Sequence, residues 1–309
     1  MTDTAAISIA AVGIRRYASL QQCGEHVREL AGRAAAAGSS LLLLPEFLCV
    51  GLLWTDAQAG ATNSAQVRAL YQRVLTPLFP AYRDMLSSAA VASRITIAGA
   101  SFWHERDGGG VNTGFWCGPD GSIVTQDKLH PTRPERAIDT VGGDRLALLE
   151  LAGVKLGMAI CYDVQFPEVA RVFADAGVEI LLIPSLTDRR GSWRVRHCAH
   201  ARAIENQMFV CVAPLLGDLG IPTDRPEQRH GAALIACPID NRFAIEDGTL
   251  VRGGQDIEQL IHASLDLRTL RRSRASAEIR PLADRRPHLY RELEASPAVT
   301  QGGAVVRQQ

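Results

Sequence analysis

Short apolar runs alternate with longer helical patterns along most of the chain. Residues 5–13 (AISIAAVGI) and 41–47 (LLLLPEF) are almost continuously apolar, which is typical of buried strands. Between them, the Ala-rich stretch 20–38 predicts a helix that ends at Gly38. The same alternation predicts further strands at 94–103, 178–185 and 208–214, and further helices at 167–176 and 192–205.

Prolines and turn residues divide the rest of the pattern. The helical stretch 64–93 contains Pro77 and Pro80, so we expect two helices there, because proline interrupts helical hydrogen bonding. Turn residues predict hairpins and paired strands elsewhere. These lie at 111–128, across a Pro-Asp-Gly turn, at 145–161, across an Ala-Gly turn, and near 231–237 and 248–265.

Two segments of the chain are closely similar, and this similarity bears on the architecture. LLLLPE (41–46) and ILLIPS (180–185) are both apolar strands that end in proline and a polar residue. Strands bracketed by helices and mixed with hairpins predict an α/β fold, and two similar halves predict two mixed sheets packed face to face. No linker divides them, so we expect one domain over 1–270, followed by a C-terminal extension at 271–309.

Composition narrows the possible function classes. Of 309 residues, 47% are apolar and 21% charged, and 33 basic residues balance 33 acidic ones. This balance provides no net field that would attract nucleic acid or an anionic membrane. Seven cysteines without a CxxC pair disfavour both a disulfide framework and a zinc ribbon. The sequence shows no secretory or membrane-spanning pattern, and we expect a cytoplasmic protein.

Cys161 is the first candidate for catalysis. In GMAICYDVQFPE (157–168) it follows the end of an apolar strand, and Pro167 and Glu168 suit the start of a helix. A strand-to-helix turn raises a side chain above the sheet, and a nearby helix N-terminus favours the thiolate. The alternative is that Cys161 only fills the core, as free cysteines usually do.

A nucleophilic cysteine requires a base, and several residues are candidates. Glu46 ends a strongly apolar strand, where loss of solvation should raise its pKa towards that of a useful base. Lys128 also ends a predicted strand. Taken alone, a lone glutamate is more often a helix cap or part of a surface ion pair, and a solvated lysine is the favoured interpretation of Lys128. Strand ends on one side of a sheet, however, are where α/β proteins collect catalytic groups.

Histidines provide a second set of candidates. His130 and His230 lie in predicted loops and remain possible bases of a papain-like site. His197 and His200 flank Cys198, which raises the possibility of a zinc site. Cys198 is offset from the histidine face of the predicted helix, so an ordinary helix surface is the favoured interpretation.

Taken together, these motifs resemble the nitrilase superfamily of carbon-nitrogen hydrolases, whose signature is a Glu-Lys-Cys triad. Glu46, Lys128 and Cys161 match it in order, in LLLLPEF, QDKLHPTRPER and GMAICYDVQFPE, and the stretch 201–214 is similar to a late helix and strand of the family. The resemblance covers roughly residues 6–265. It implies a four-layer α-β-β-α sandwich with two mixed sheets, and it implies no cofactor and no metal.

The resemblance also implies a role for each matching residue. Glu46 takes the thiol proton and later activates water, while Cys161 attacks the carbon and forms a thioester. Lys128 and the backbone N–H of Tyr162 hold the oxyanion. Glu135, seven residues after Lys128, matches a second glutamate of many members and would orient Lys128 or the substrate. A surface position in an arginine-rich loop is the alternative for Glu135.

Two further motifs bear on the substrate, and they disagree. Tyr162-Asp163, directly after the cysteine, is similar to amidase and carbamoylase branches, whereas KLHPTRPER (128–136) is similar to the corresponding loop of nitrilases. Because Tyr162 adjoins the bond-forming atom, we expect hydrolysis of a small amide to acid and ammonia or amine. Nitrile hydrolysis and N-acyl transfer through the same thioester are the alternatives.

Substrate contacts and assembly can be predicted only coarsely. The candidate pocket residues are the aromatic residues Trp54, Phe102, Trp103, Tyr162 and Trp193, and Arg189, Arg190 and Arg194, which could receive a carboxylate. Core packing and a solvated surface are the respective alternatives. We also expect at least a homodimer, formed through the apolar helix 167–177 and the C-terminal extension, as in the family that the chain resembles.

Overall fold

The fold combines two β-sheets with helices on their outer faces, in a computed structural model that describes residues 3–56, 60–218, 228–295, 298–301 and 304–307. The strands are β1 Thr4–Gly13, β2 Leu41–Leu44, β3 Thr96–Arg106, β4 Gly109–Cys117, β5 Ile123–Asp127, β6 Leu148–Leu151, β7 Val154–Met158, β8 Ile180–Leu186, β9 Phe209–Leu216, β10 Leu234–Ala236, β11 Thr249–Arg252, β12 Gln259–Asp266, β13 Ala298–Gln301 and β14 Ala304–Arg307. The helices are α1 Leu20–Ala36, α2 Ser64–Ser93, α3 Arg133–Arg136, α4 Pro167–Asp175, α5 Arg189–Asn206, α6 Leu267–Ser276 and α7 Pro287–Ala295, with 3-10 helices at Leu48–Thr55 and Cys161–Gln165.

Strand pairing arranges these elements as two mixed sheets that are joined through β1. One sheet has the order β5-β4-β3-β2-β1, with β12 antiparallel to β1. The other has the order β9-β8-β7-β6, with β10 and β11 added beyond β9. The last residues of β1, Val12 and Gly13, pair with β9 and connect the sheets. The predicted α/β class with two mixed sheets is confirmed.

Alternation along β2 shows how the layers are packed. Leu41 and Leu43 belong to the apolar cluster that contains the second sheet, while Leu42 and Leu44 belong to the cluster that contains α1 and α2. Successive side chains of a strand point to opposite faces, and all four leucines are buried. The continuous apolar run of β2 therefore reflects a strand that is covered on both faces.

Two predicted elements differ from the structure. The stretch 64–93 forms one helix, α2, with Pro77 and Pro80 inside it, and the prediction of two helices is wrong. Both prolines are exposed, whereas Leu75 and Tyr82 on the buried face pack into the core and hold the helix continuous. The region 248–265 contains two strands, of which only β11 pairs with β10, while β12 pairs with β1.

The region around residue 270 is well packed. In α6, Leu270 and Ser273 are buried, and the Arg274 guanidinium donates to the carbonyl oxygens of Gln207 and Val178. Beyond α6, residues 277–286, the exposed helix α7 and the β13–β14 hairpin follow, and residues 296–297, 302–303 and 308–309 of the predicted extension lie outside the described residues. The division into 1–270 and 271–309 stays a prediction. Within the described ranges, no helix has the length and apolarity needed to cross a membrane.

Candidate active site

Cys161 lies on a sharp turn at the end of β7. Its backbone has a φ of 50°, a left-handed conformation that is uncommon for a residue other than glycine. The residue opens the 3-10 helix Cys161–Gln165, and α4 begins directly afterwards at Pro167. The strand-to-helix turn predicted from the sequence is therefore present, and it directs the chain abruptly away from the sheet at the sulfur-bearing residue.

Glu46 lies at a comparable turn at the end of β2. The following residue, Phe47, has a φ of 54°, and its N–H donates to Ser101 Oγ at 3.1 Å. This hydrogen bond anchors the turn, and the chain then continues as the 3-10 helix Leu48–Thr55. Glu46 is 1% exposed, so its carboxylate is withdrawn from water and must be satisfied by protein donors.

Lys128 connects two buried carboxylates. Its ammonium Nζ donates to Glu46 Oε1 at 2.8 Å and to Glu135 Oε2 at 2.7 Å. Lys128 is 2% exposed, so both ion pairs are formed away from solvent. A lysine ammonium has three N–H donors, and the third has no hydrogen-bond partner among the described residues. This free donor is available to an oxygen of a bound molecule.

Glu135 is held by its own helix as well as by Lys128. It is the third residue of α3, and its Oε2 accepts from the backbone N–H and the hydroxyl of Thr132 at 2.8 and 2.7 Å. This arrangement is a capping box, in which a glutamate returns to the N-terminal end of its helix. Glu135 is 8% exposed, so the structure does not place it on the surface.

Two donors complete the environment of Glu46. Asn112 on β4 donates through Nδ2 to Glu46 Oε1 at 3.0 Å, and the backbone N–H of Leu186 donates to Glu46 Oε2 at 2.9 Å. The carbonyl oxygen of Leu186 lies 3.7 Å from Cys161 Sγ, and the charge of the Glu46 carboxylate acts on the thiol. The sulfur is thus placed between a carboxylate and the end of β8.

Burial and charge set the protonation of the cluster. Burial raises the pKa of Glu46, against the opposing effect of Lys128, and burial and the Glu46 charge raise the pKa of Cys161. Burial alone would lower the pKa of Lys128, but Glu46 and Glu135 raise it well above its ordinary value. For Glu135, burial alone would raise the pKa, but the Lys128 charge together with the hydrogen bonds from Lys128 and Thr132 lowers it.

The cluster therefore favours a neutral thiol at rest. Two carboxylates share one ammonium, and a thiolate would add another negative charge in a site withdrawn from water. Burial and the Glu46 charge therefore act on Cys161 in the direction opposite to that expected from a nearby helix N-terminus. A carboxylate next to the thiol provides an acceptor for its proton, so the sulfur can ionise as it attacks.

Asp163 links the Cys161 turn to the segment after Lys128. Its carboxylate is fully buried and accepts from the backbone N–H groups of Leu129, His130 and Ile160 at 3.2, 2.8 and 3.2 Å. The ring of His130 is also bonded to it, through Nδ1 at 2.9 Å. Asp163 thereby fixes the relative positions of the two turns.

The histidine and metal alternatives receive no contacts that would support them. His130 pairs with Asp163 and His230 pairs with Asp256, both at 2.9 Å. Across the described ranges, no hydrogen bond joins a histidine to Cys161 Sγ, and no group of three His, Cys, Asp or Glu side chains is arranged to hold a metal. The cluster around Cys161 is a carboxylate-lysine-thiol site.

The predicted substrate contacts are scattered. Tyr162 is half-buried and packs edge-on against Phe166, with ring centroids 4.9 Å apart. The guanidinium of Arg16 lies over the indole ring of Trp54, with its central carbon 3.8 Å from the ring centroid. Phe102 and Trp103 are fully buried core residues, and their proposed place in a pocket wall is wrong.

The residues predicted from the loop after β8 lie at the start of α5. Trp193 is 47% exposed, stacks on His197, and lines a cavity together with Ser185 and Thr187, the neighbours of Leu186. Arg189 is exposed. In the parts of the chain that the structure describes, no hydrogen bond or ion pair joins Arg189 or Trp193 to Cys161, and they remain predictions as substrate contacts.

Three contributors to the cluster were not predicted as site residues. Asn112 interrupts an apolar and Gly-rich strand with a buried amide, which is a detectable signal in the sequence. Asp163 lies next to the nucleophile motif, but its partners come from a distant loop. Leu186 acts only through its backbone, so its side chain carries no sign of the function.

Comparisons with known proteins show what this chain is similar to. Residues 8–275 match the profile of a family described as carbon-nitrogen hydrolase. The chain is 30% identical over 279 residues to the probable hydrolase YhcX of Bacillus subtilis, covering 90% of this chain and only 53%, about half, of that protein. It is 26% identical to the omega-amidase NIT2-B of Xenopus laevis, covering 77% of this chain and 88% of the relative.

A solved structure has the same fold. The amidase of Nesterenkonia AN1, solved as a mutant and described as a member of the nitrilase superfamily, superposes with a TM-score of 0.71. The alignment covers 94% of this chain and 98% of that one, at 22% sequence identity. The resemblance to nitrilase-superfamily folds predicted from the sequence is confirmed.

Proposed function

Because this chain belongs to the carbon-nitrogen hydrolase family, we propose that it hydrolyses a small amide through Glu46, Lys128 and Cys161. At the level of the family, the predicted class of a hydrolase acting on non-peptide carbon-nitrogen bonds is confirmed. The observation that carries the proposal is one buried carboxylate, Glu46, that is paired with the Lys128 ammonium and whose charge raises the pKa of the Cys161 thiol.

The first half-reaction transfers the acyl group to sulfur. Glu46 accepts the thiol proton as Cys161 Sγ forms a bond to the amide carbon. The carbonyl electrons move to oxygen, where the free N–H of Lys128 and the backbone N–H of Tyr162 stabilise the negative charge. The carbon-nitrogen bond then breaks, the nitrogen leaves as ammonia or amine with the proton from Glu46, and a thioester remains.

The second half-reaction returns the enzyme to its starting state. Glu46, again a carboxylate, removes a proton from water while the water oxygen attacks the thioester carbon. The carbon-sulfur bond breaks, the sulfur regains its proton from Glu46, and the carboxylic acid is released. The same base thus serves both steps, so its removal should slow both acylation and deacylation.

Glu135 supports Lys128 in this scheme. Its charge and its hydrogen bond to Nζ raise the pKa of Lys128, so the ammonium remains charged next to a neutral thiol. Because its carboxylate also accepts two bonds from Thr132, it holds one fixed position. We assign Glu135 the role of orienting Lys128, so that the third N–H faces the developing oxyanion.

A short amide is the favoured substrate class. The relative NIT2-B is named an omega-amidase, and Tyr162-Asp163 is similar to amidase branches. Tyr162, Trp54, Trp193 and Arg189 are the proposed substrate contacts, of which Tyr162 adjoins the sulfur-bearing residue. A nitrile substrate and transfer of the acyl group to an amine use the same thioester and are the alternatives.

Product analysis with a panel of substrates tests this proposal. Short amides, ω-amides of dicarboxylic acids, carbamoyl amino acids and nitriles are incubated with the enzyme, with and without an added amine. Cys161→Ala should abolish turnover of every substrate, whereas Cys198→Ala, which removes a half-exposed cysteine of α5, should not. Turnover by folded Cys161→Ala would refute the mechanism, and N-acylated amine as the main product would establish acyl transfer.

Assembly as a homodimer is a further part of the proposal. On α4, Val169 and Phe173 pack inside their own subunit, while Val172 is 56% exposed on the outer face. A second copy that covers this face would remove Val172 from water, with the C-terminal extension as additional contact surface. Sedimentation should give at least twice the mass of 33.4 kDa, and an unchanged monomer mass on concentration would exclude the dimer.

A further inference from the structure

Asn112 contacts all three charged residues of the cluster. Its side chain is 1% exposed, and Nδ2 donates to Glu46 Oε1 at 3.0 Å and to Glu135 Oε1 at 3.1 Å. Its backbone carbonyl accepts from the N–H of Lys128 at 2.8 Å. The same residue thus holds two carboxylates through its side chain and the lysine backbone through its main chain.

The chemistry of a carboxamide explains why this residue type is suitable. The side-chain amide has two N–H donors, and each of them meets one carboxylate. The carbonyl oxygen Oδ1 is buried with no hydrogen-bond partner among the described residues. An unpaired buried acceptor lowers the stability of the folded protein. Asn112 nevertheless keeps the orientation in which Nδ2 donates two hydrogen bonds and Oδ1 accepts none from the described residues. The reverse orientation would place Oδ1 against both carboxylates.

We propose that Asn112 is a positioning residue, which holds Glu46 and Glu135 in fixed places on either side of the Lys128 ammonium. It occupies the Oε1 edge of Glu46 together with Lys128, which leaves the Oε2 edge to Leu186. The inference rests on the proposed role of Glu46 as the base. Asn112 itself acts through the carboxylates, since its contacts are with them and with Lys128.

The role predicts a specific change when the amide is removed. The two carboxylates repel each other, and donated hydrogen bonds stabilise their charged forms. Without Asn112, the pKa of Glu46 should rise further above its ordinary value, and its carboxylate should lose its fixed orientation towards the thiol. Turnover should fall while substrate binding changes little, because the side-chain contacts of Asn112 are with the carboxylates of Glu46 and Glu135.

Asn112→Leu tests this role, because leucine has a similar size and no donor. We expect kcat to fall about tenfold or more, KM to change little, and the acid limb of the kcat/KM profile to move up by about one pH unit or more. Asn112→Asp, which adds a third carboxylate, should move the limb in the same direction. The matched control is Thr113→Val, since the buried Thr113 on the same strand bonds Asp127 and His104 instead.

Alkylation of Cys161 by iodoacetamide at each pH provides a second measurement that does not require turnover. In Asn112→Leu, the pH dependence of the alkylation rate should be shifted by the same amount as that of kcat/KM. In Thr113→Val, it should match that of the wild-type enzyme. A folded Asn112→Leu with the wild-type limb would overturn the inference, and so would failure of both Asn112 variants to fold, because Asn112 would then be a stability residue. Wild-type activity of Glu46→Gln would instead overturn the proposed function.

Discussion

The ends of β2 and β8 have closely similar sequences, LLLLPE and ILLIPS, but they contribute different kinds of atoms to the candidate active site. After β2, Glu46 contributes a side-chain carboxylate. At the end of β8, Leu186 contributes its backbone, with the N–H directed to Glu46 Oε2 and the carbonyl oxygen 3.7 Å from Cys161 Sγ. The contribution of the β2 end depends on the residue type at position 46, and that of the β8 end depends on the backbone conformation at Leu186.

The difference shows which substitutions each strand end tolerates. The function of Glu46 depends on a titratable carboxylate, so even a substitution of the same shape removes it. The function of Leu186 depends on a backbone N–H, which every residue except proline has. Activity should therefore be sensitive to any substitution of Glu46, but at Leu186 only to substitution by proline.

The largest expected effect comes from removing the carboxylate at the end of β2. Glu46→Gln keeps the size of the side chain but cannot accept the thiol proton, so kcat should fall about 10²- to 10⁴-fold, as is usual on loss of a general base. The measurement is kcat on the best amide, with circular dichroism to establish folding.

A matched control is available for that variant. Glu179→Gln removes another largely buried carboxylate, which is paired with Arg271 near the other end of β8, and it should leave kcat unchanged. Equal losses in Glu46→Gln and Glu179→Gln would mean that the effect arises from general destabilisation and would remove the distinction between the two strand ends.

An intermediate effect is expected at the end of β8. Leu186→Pro removes the N–H that donates to Glu46 Oε2, and loss of a hydrogen bond to a charged group should lower kcat roughly 10- to 100-fold. Leu186→Met keeps the N–H and a similar side-chain volume, so its kcat should remain close to wild type. If methionine is as harmful as proline in folded protein, the side chain of Leu186 matters and the comparison fails.

The smallest effect is a pH dependence of the wild-type enzyme. Burial raises the pKa of Glu46 above its ordinary 4.5, so kcat/KM should be full above that raised pKa and fall as pH decreases through it. Lys128 and Cys161 both have raised pKa values, so no loss is expected near neutral pH from either group. An acid limb at or below the ordinary glutamate pKa would contradict the proposed environment of Glu46.

The sequence carries some of these features more clearly than others. The grouping of Glu46, Lys128 and Cys161 could be predicted because all three lie at strand ends and their motifs occur in the order typical of one family, although each residue taken alone has an ordinary interpretation. β2 could be predicted because burial on both faces leaves an uninterrupted apolar run. In both cases the signal is a residue type in a local pattern.

Features that depend on distant contacts could not be predicted. Asp163 binds the loop after Lys128, and Asn112 meets carboxylates from two other segments, so neither role is visible within a short stretch. The unbroken course of α2 through Pro77 and Pro80 depends on how its buried face packs on the sheet. Leu186 is the limiting case, because every residue type except proline could donate the same backbone hydrogen bond.

The most direct test of the account is detection of the acyl group on Cys161. Enzyme turning over a short amide is quenched in acid at several times, digested and analysed by mass spectrometry. We expect the acyl mass on the peptide that contains Cys161, and its release as hydroxamate when hydroxylamine is added. An acyl mass on another residue, or continued turnover with no acylated Cys161 at any time and no hydroxamate, would contradict the thioester mechanism.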